Sequence, residues 1–288
     1  MNKLYATILL FCVVLASLFV AGCAEPEEAL VSVVELDFDG LDPLEEGVYE
    51  GWVITGEEKL SVGTFNAGDE ISFDVGQDLS SADLVVITIE PENDADADPS
   101  GIVILAGELE GGMAELEFPL DLSEATGTYI LATPTNGADT DEASGIWFLQ
   151  LPLPPTPGLD LPELPDGWVY EGWVVNQGQP ITSGRFTAVD EVDFFDDYSS
   201  VEPGPPFPGE DYLVNAPEGV VFPIDLADGE SLAVISIEPD MDGVDPTGAS
   251  PFQIKPLIGK IPSGAMDHVN YPMDLSLDSI PSGVATIS

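Results

Sequence analysis

Positive charge is almost absent from this chain. Its 288 residues include 5 lysines and arginines against 54 aspartates and glutamates, a formal net charge of -49 at pH 7. A surface of that sign repels the phosphate backbone of nucleic acids, which needs basic neutralisation. It repels anionic lipid as well. Nucleic-acid partners are therefore excluded. Such a surface attracts cations, and both a solvated, salt-adapted surface and divalent-cation binding fit the charge. An excess of acid without ligand geometry is not in itself a site.

Histidine is nearly missing too. His268 is the only one, so Ser/His or Cys/His catalysis would have to be built on it. Its neighbours Met266-Asp267-His268-Val269-Asn270 form no known constellation, and a surface or loop histidine is expected. No glycine loop of the Walker or Rossmann kind occurs. Carboxylate pairs abound, but among 54 acids a pair carries little information, and a glycosidase needs two carboxyls at a set separation in a cleft. Amphipathic helices are also lacking; Leu122-Ser123-Glu124-Ala125 offers one turn. No catalytic residue, metal ligand or cofactor is assigned, and the expectation is a non-enzyme.

There are only two cysteines, Cys12 and Cys23. The basic start Met1-Asn2-Lys3, the uncharged run Leu4 to Val20 and the small pair Ala21-Gly22 before Cys23 have the layout of a secretory signal. Val20-Ala21-Gly22-Cys23 also resembles the lipobox of prokaryotic lipoproteins, which implies diacylglycerol on the Cys23 sulfur and cleavage before it. The alternative is an uncleaved anchor, since the run approaches the ~20 residues of a spanning helix. With Cys12 removed, no intrachain disulfide can form, and stability has to come from packed cores. The expected partner is the membrane, through the lipid on Cys23, with an envelope protein or glycan beyond it.

What the chain does have is a repeat. Tyr49-Glu50-Gly51-Trp52-Val53 returns as Tyr170-Glu171-Gly172-Trp173-Val174, and Leu84 to Pro91 returns as Leu232 to Pro239. Short alternating or apolar runs separated by Gly, Asn, Asp and Pro predict β-strands. The fold class expected is all-β, with two tandem β-sandwich domains, immunoglobulin-like or similar. The boundaries read from the sequence are a signal peptide at 1–22, an acidic lipid-anchored tether at 23–46, a first repeat at 47–151, a proline-rich linker at 152–166 and a second repeat at 167–288. The segment Leu30 to Leu36 within the tether fits either a strand or a loosely held stretch. The second repeat carries a Pro/Gly/acid-rich insertion near 195–229, either functional or a tolerated surface loop. Gly283 to Ile287 stands where Gly127 to Leu131 stood, with no counterpart of Trp147-Phe148 after it. The second sandwich is thus expected to lack its last strand or to borrow one, leaving an open edge.

Two acidic loops occupy the same place in each repeat: Asp94, Asp96 and Asp98 in one, Asp240 and Asp242 with Asp245 nearby in the other. Alternate aspartates can surround Ca2+, but neither loop completes an EF-hand, since Pro99 and Leu105 fall at the sixth and twelfth positions counted from Asp94. Ordinary acidic hairpin loops are the expectation. Tyr49, Trp52, Tyr170 and Trp173 lie at i and i+3, so one of each pair could face outward as a ligand platform; core packing with an edge aromatic is the expected alternative.

Trp52, Gly63, Phe65, Glu90-Pro91, Pro99-Ser100-Gly101 and Leu105-Ala106-Gly107-Glu108-Leu109 together resemble the extracytoplasmic C-terminal domain of the anti-sigma-K factor family. The second copy has Trp173, Gly184, Phe186, Glu238-Pro239, Pro246-Thr247-Gly248 and Leu257-Ile258-Gly259-Lys260-Ile261. The resemblance implies an all-β extracytoplasmic module without catalytic residues. In the family it is joined through a membrane helix to a cytoplasmic domain that holds a sigma factor. That domain has no counterpart in this sequence, so sigma binding is not expected. The leading expectation is a non-enzymatic, lipid-anchored binding or structural module of the cell envelope. An extracytoplasmic sensor comes second and a secreted hydrolase using paired carboxylates third.

Overall fold

The computed structural model describes residues 32–67, 70–93, 98–241 and 244–288. The signal segment, Cys23, Asp94, Asp96 and Asp242 lie outside the described residues. The strands are β1 Ser32–Asp39, β2 Val48–Thr55, β3 Glu58–Phe65, β4 Glu70–Val75, β5 Leu84–Glu90, β6 Val103–Glu108, β7 Met113–Glu117, β8 Thr126–Leu131, β9 Gly145–Trp147, β10 Leu149–Gln150, β11 Thr156–Pro157, β12 Leu159–Asp160, β13 Trp168–Asn176, β14 Gln179–Phe186, β15 Gly209–Asp211, β16 Leu232–Pro239, β17 Leu257–Lys260, β18 Tyr271–Leu275 and β19 Ser282–Ile287. Among the described residues only short 3-10 turns are helical, and no helix is long and apolar enough to cross a membrane. Leu122–Ala125 does make one turn, closed by Ala125 N–H donating to Leu122 O at 3.1 Å.

The strands form two large antiparallel sheets that match position by position. One runs β3-β2-β5-β6-β7-β19-β1-β4; the other runs β14-β13-β16-β17-β18-β8-β9-β15, with β12 beside β8. Each sheet rolls up until its two ends meet, giving a barrel- or sandwich-like unit. A glycine makes the first closure possible. A Cβ on Gly63 of β3 would stand 2.4 Å from the Phe73 ring of β4, and Gly63 has φ +143, a conformation that side-chain-bearing residues avoid. The all-β, two-unit class read from the repeat is the class observed.

The connectivity differs from a plain tandem. β8, from the first half of the sequence, lies in the second sheet between β18 and β9. β19, from the end of the chain, lies in the first sheet between β7 and β1. These two strands are the aligned counterparts Gly127 to Leu131 and Gly283 to Ile287, so the two units exchange their equivalent strands. The second unit borrows a strand, as one of the two expectations had it, and returns its own. Tyr129 and Leu131 of β8 and Ala285 of β19 are buried in the sheets that receive them.

Three boundaries shift as a result. The tether does not extend to residue 46. In β1 Val34 and Leu36 are buried while Glu35 and Asp37 are exposed, and this period-two pattern pairs with β4 and β19. Ile146-Trp147-Phe148 does not close the first repeat, because β9 is a strand of the second sheet, at the position β1 holds in the first. Residues 152–166 are not a free linker: Leu159 is buried, β12 pairs with β8, and Pro162 O accepts the Tyr170 hydroxyl at 2.7 Å. One continuous apolar core, Val34 through Ala285, runs through both units. At their junction Phe118 and Trp168 meet edge to face at 5.5 Å. Gln253 Oε1 accepts from Asp42 N at 2.6 Å, and Gln253 Nε2 donates to the Tyr49 hydroxyl at 3.1 Å.

The repeated motif has a physical reason. A bulge between Gly51 and Trp52 recurs between Gly172 and Trp173. Beyond it the Trp52 indole N–H donates to Thr88 Oγ1 at 2.9 Å, Thr88 Oγ1 donates to Glu90 Oε1 at 2.5 Å, and Ser100 N donates to the same oxygen at 2.8 Å. In the second unit Trp173 donates to Ser236 at 2.8 Å, Ser236 to Glu238, and Phe252 N to Glu238 Oε1 at 2.9 Å. Each unit thus carries a buried Trp–hydroxyl–carboxylate chain, and burial demands that its members be paired. Tyr49, Trp52, Tyr170 and Trp173 are all buried, so none offers an outward ligand platform.

Candidate functional site

The two units differ most where the second carries its insertion. In the first unit β4 forms the sheet edge beside β1. The aligned stretch Asp190-Glu191-Val192 does not continue as a strand. The chain instead loops outward, and the short β15 takes the edge position beside β9. Asp193 replaces the Phe73 ring of the first unit: a Cβ on Gly184 would stand 2.7 Å from the Asp193 carboxyl.

Three carboxylates hold this loop down. Asp193 accepts from Phe195 N at 2.9 Å and Gly209 N at 2.8 Å, tying together the two ends of the segment. Glu210 accepts from Tyr198 N at 3.3 Å, from Asp211 N at 2.8 Å and from the Ser199 hydroxyl. Asp211 accepts from Thr135 N at 2.8 Å, Thr135 Oγ1 at 2.6 Å and the Trp147 indole N–H at 2.8 Å. Tyr198 packs edge-on against Phe195 and Phe222 at 4.9 and 5.1 Å, which anchors the loop with aromatic area. Burial pushes the Asp193 carboxyl up to about 6 and the Glu210 carboxyl up to about 8. It raises Asp211 in the same direction. Hydrogen bonds to each pull the other way and do not offset it.

Between the loop and β9 lies a cleft of about 430 Å³, lined by Thr135, Trp147, Asp193, Phe194, Ser199 and Phe207 among others. Trp147 is a wall and not a platform, because Gly204 lies flat against its ring. At the rim Val192 is 62% and Phe194 70% exposed. Both are apolar side chains held out into solvent at the mouth of the cleft. The insertion was legible in the sequence, and its Pro/Gly content marked a long loop. The carboxylates that pin it were hidden among 54 acids.

Elsewhere, the two acidic loops approach one another. Asp98 and Asp240 line a single cleft between the units, with Glu90 and Asp166. Asp98 pairs with Lys59 at 3.6 Å. His268 lies in an exposed loop with Nδ1 3.0 Å from Asp267 Oδ2.

Fold and site together define an all-β chain of two strand-exchanged units, one plain and one elaborated into a cleft. Residues 20–103, less than a third of the chain, match the family model described as "Anti-sigma-K factor rskA, C-terminal". The first half of the chain therefore contains a region similar to the C-terminal domain of that anti-sigma factor family. The matched span includes β1 and ends as β6 begins, in keeping with β1 being part of the first unit. The likeness of the second copy rests on its shared motif geometry, outside the matched span. No curated protein and no solved structure gives a significant match.

Proposed function

We propose that the protein is a non-enzymatic, extracytoplasmic module of the cell envelope, anchored by lipid on Cys23, and that the cleft beneath the insertion of the second unit takes its ligand, an envelope protein or glycan. The observation that carries this reading is the asymmetry of the copies. The frame is the same in both, and only the second has been built outward, into a pinned loop with exposed apolar side chains at its mouth. Asp193, which lines the cleft, and Glu210 and Asp211, buried behind it, each accept two or more hydrogen bonds from the protein itself, and they act as pins for the loop.

The test is binding of the chain, lacking its apolar N-terminal segment, to isolated envelope fractions and to polysaccharides. The outcome expected is saturable binding without turnover, lost in Phe194→Asp and Val192→Asp. Binding that survives both changes would move the site away from the cleft. Mass spectrometry of the N-terminal peptide checks the anchor, with the diacylglyceryl mass expected on Cys23 and gone in Cys23→Ser.

A second reading is favoured by the match of residues 20–103: a sensor that works with a separate membrane signalling protein. It requires that deletion of the gene change sigma-factor-dependent transcription, and an unchanged transcript profile would remove it.

A further inference from the structure

Glu142 opens the 3-10 turn Glu142–Ser144, in the segment that carries the chain from the exchanged strand β8 to β9. Asp267 and His268 come from the loop that leads into β18. One donor atom from each of the three lies within 4.8 Å of the others, and the closest pair, His268 Nδ1 and Asp267 Oδ2, is 3.0 Å apart. Both sides of the cluster are fixed to the end of β8. His268 N donates to Leu131 O at 3.0 Å, and Thr133 N donates to Glu142 Oε2 at 3.0 Å. His268 has a left-handed backbone, φ +56, which few residues other than glycine adopt and which histidine tolerates better than most.

We propose that Glu142, Asp267 and His268 hold one divalent transition-metal ion of the zinc class. Bonds from Zn2+ to imidazole nitrogen and carboxylate oxygen are about 2.0–2.2 Å. Two donors 3.0 Å apart therefore subtend close to a right angle at a shared ion, and donors on opposite sides of it are at most about 4.2 Å apart. Movement of the Glu142 side chain toward the other two donors completes the set, and water fills the remaining positions. One imidazole with two carboxylates suits zinc or nickel. Calcium asks for about six to eight oxygens, more than these residues supply. The two carboxylates balance the charge of the ion, and the acidic surface around them raises the local cation concentration.

The ion would link the loop before β18 to the segment after β8. It would clamp the exchanged strand in the second sheet, stabilising the fold by binding only the folded state. This inference is independent of the proposed function.

The experiment is calorimetric and thermal-melt titration of the untagged, metal-free chain with ZnCl2 in physiological salt, with excess Ca2+ present to fill unspecific acidic positions. One Zn2+ per chain and a raised Tm are expected. Cobalt bound at the same place should give a visible absorption band. His268→Asn tolerates the left-handed backbone, and Glu142→Gln keeps an acceptor for Thr133 N; each should weaken zinc binding roughly tenfold or more with the unliganded Tm unchanged. Zinc bound no more tightly than calcium, or bound equally well by His268→Asn, overturns the assignment.

Discussion

Glu238 lies at the end of the Trp173–Ser236 chain and is almost wholly buried. Burial pushes its carboxyl from 4.5 up to about 7, against the pull of Ser236 and Phe252 N. The folded state therefore holds this proton more tightly than the unfolded chain. The stability it contributes is complete below pH 4.5 and is lost as pH rises through about 7. At about 1.4 kcal/mol per pH unit, a group moved this far takes about 2.5 kcal/mol from the folded state between pH 5 and pH 8. Glu238→Gln removes the proton but keeps an oxygen to accept from Ser236 and Phe252 N. Urea denaturation at pH 5, 6.5 and 8 can be followed by fluorescence, because all four tryptophans are buried. The native chain should lose about 2.5 kcal/mol more than the variant across that range. The repulsion among 54 acids weakens both proteins alike and drops out of the difference. Parallel pH profiles, or a variant less stable than the native chain at pH 8, would refute the view that a buried, uncharged carboxyl terminates the chain.

Three further outcomes are expected. A protease site placed at the exposed stretch Ala138-Asp139-Thr140 and then cut should leave two fragments that co-elute on gel filtration, since each keeps its last strand in the sheet of the other; a plain tandem would separate. Asp193→Ala leaves Gly209 N and Phe195 N without their acceptor, and should cost about 1–3 kcal/mol and speed proteolysis between residues 195 and 208. Trp52→Phe removes the donor to Thr88 while keeping an aromatic ring, and should cost about 1–2 kcal/mol in thermal unfolding, with the second unit's tryptophans reporting the same transition.

The sequence carried the strands well and their ownership poorly. Ile71 to Val75 and Leu84 to Ile89 announce themselves by period and apolar content, and both are strands. β8 and β19 are strong strands in the same repeat position, so local pattern fits either equally well into either sheet. Nothing in periodicity distinguishes a strand kept from a strand exchanged. The sequence leaves β1 open between a strand and a loosely held stretch because proline and acid crowd the ends of its segment, although Val34, Leu36 and Phe38 alternate with Glu35 and Asp37. The prolines at 152–165 suggested a stiff spacer, yet Leu159 between them is a core residue. The metal cluster joins Glu142 to Asp267 and His268 across more than a hundred residues, and only the fold brings them together.

Exchange also changes what the cleft is attached to. Thr135 stands just after β8, and its backbone N–H and hydroxyl both bind Asp211. Ser200 N donates to Thr135 Oγ1 at 2.8 Å, and Glu202 N donates to Thr135 O at 3.0 Å. The insertion of the second unit is thus fastened to the segment that enters it from the first. β8 is joined in turn, through Phe118 and the Leu122–Ala125 turn, to β7, which lies between β6 and β19 in the first sheet. On the proposed function, a ligand held against the insertion bears on Thr135 and, through β8, on the connection back to the first unit. In a simple tandem the same event would stop at a linker. Here one strand of each sheet belongs to the other half of the chain, so on the proposed function binding in the cleft is expected to raise the unfolding temperature of both units together.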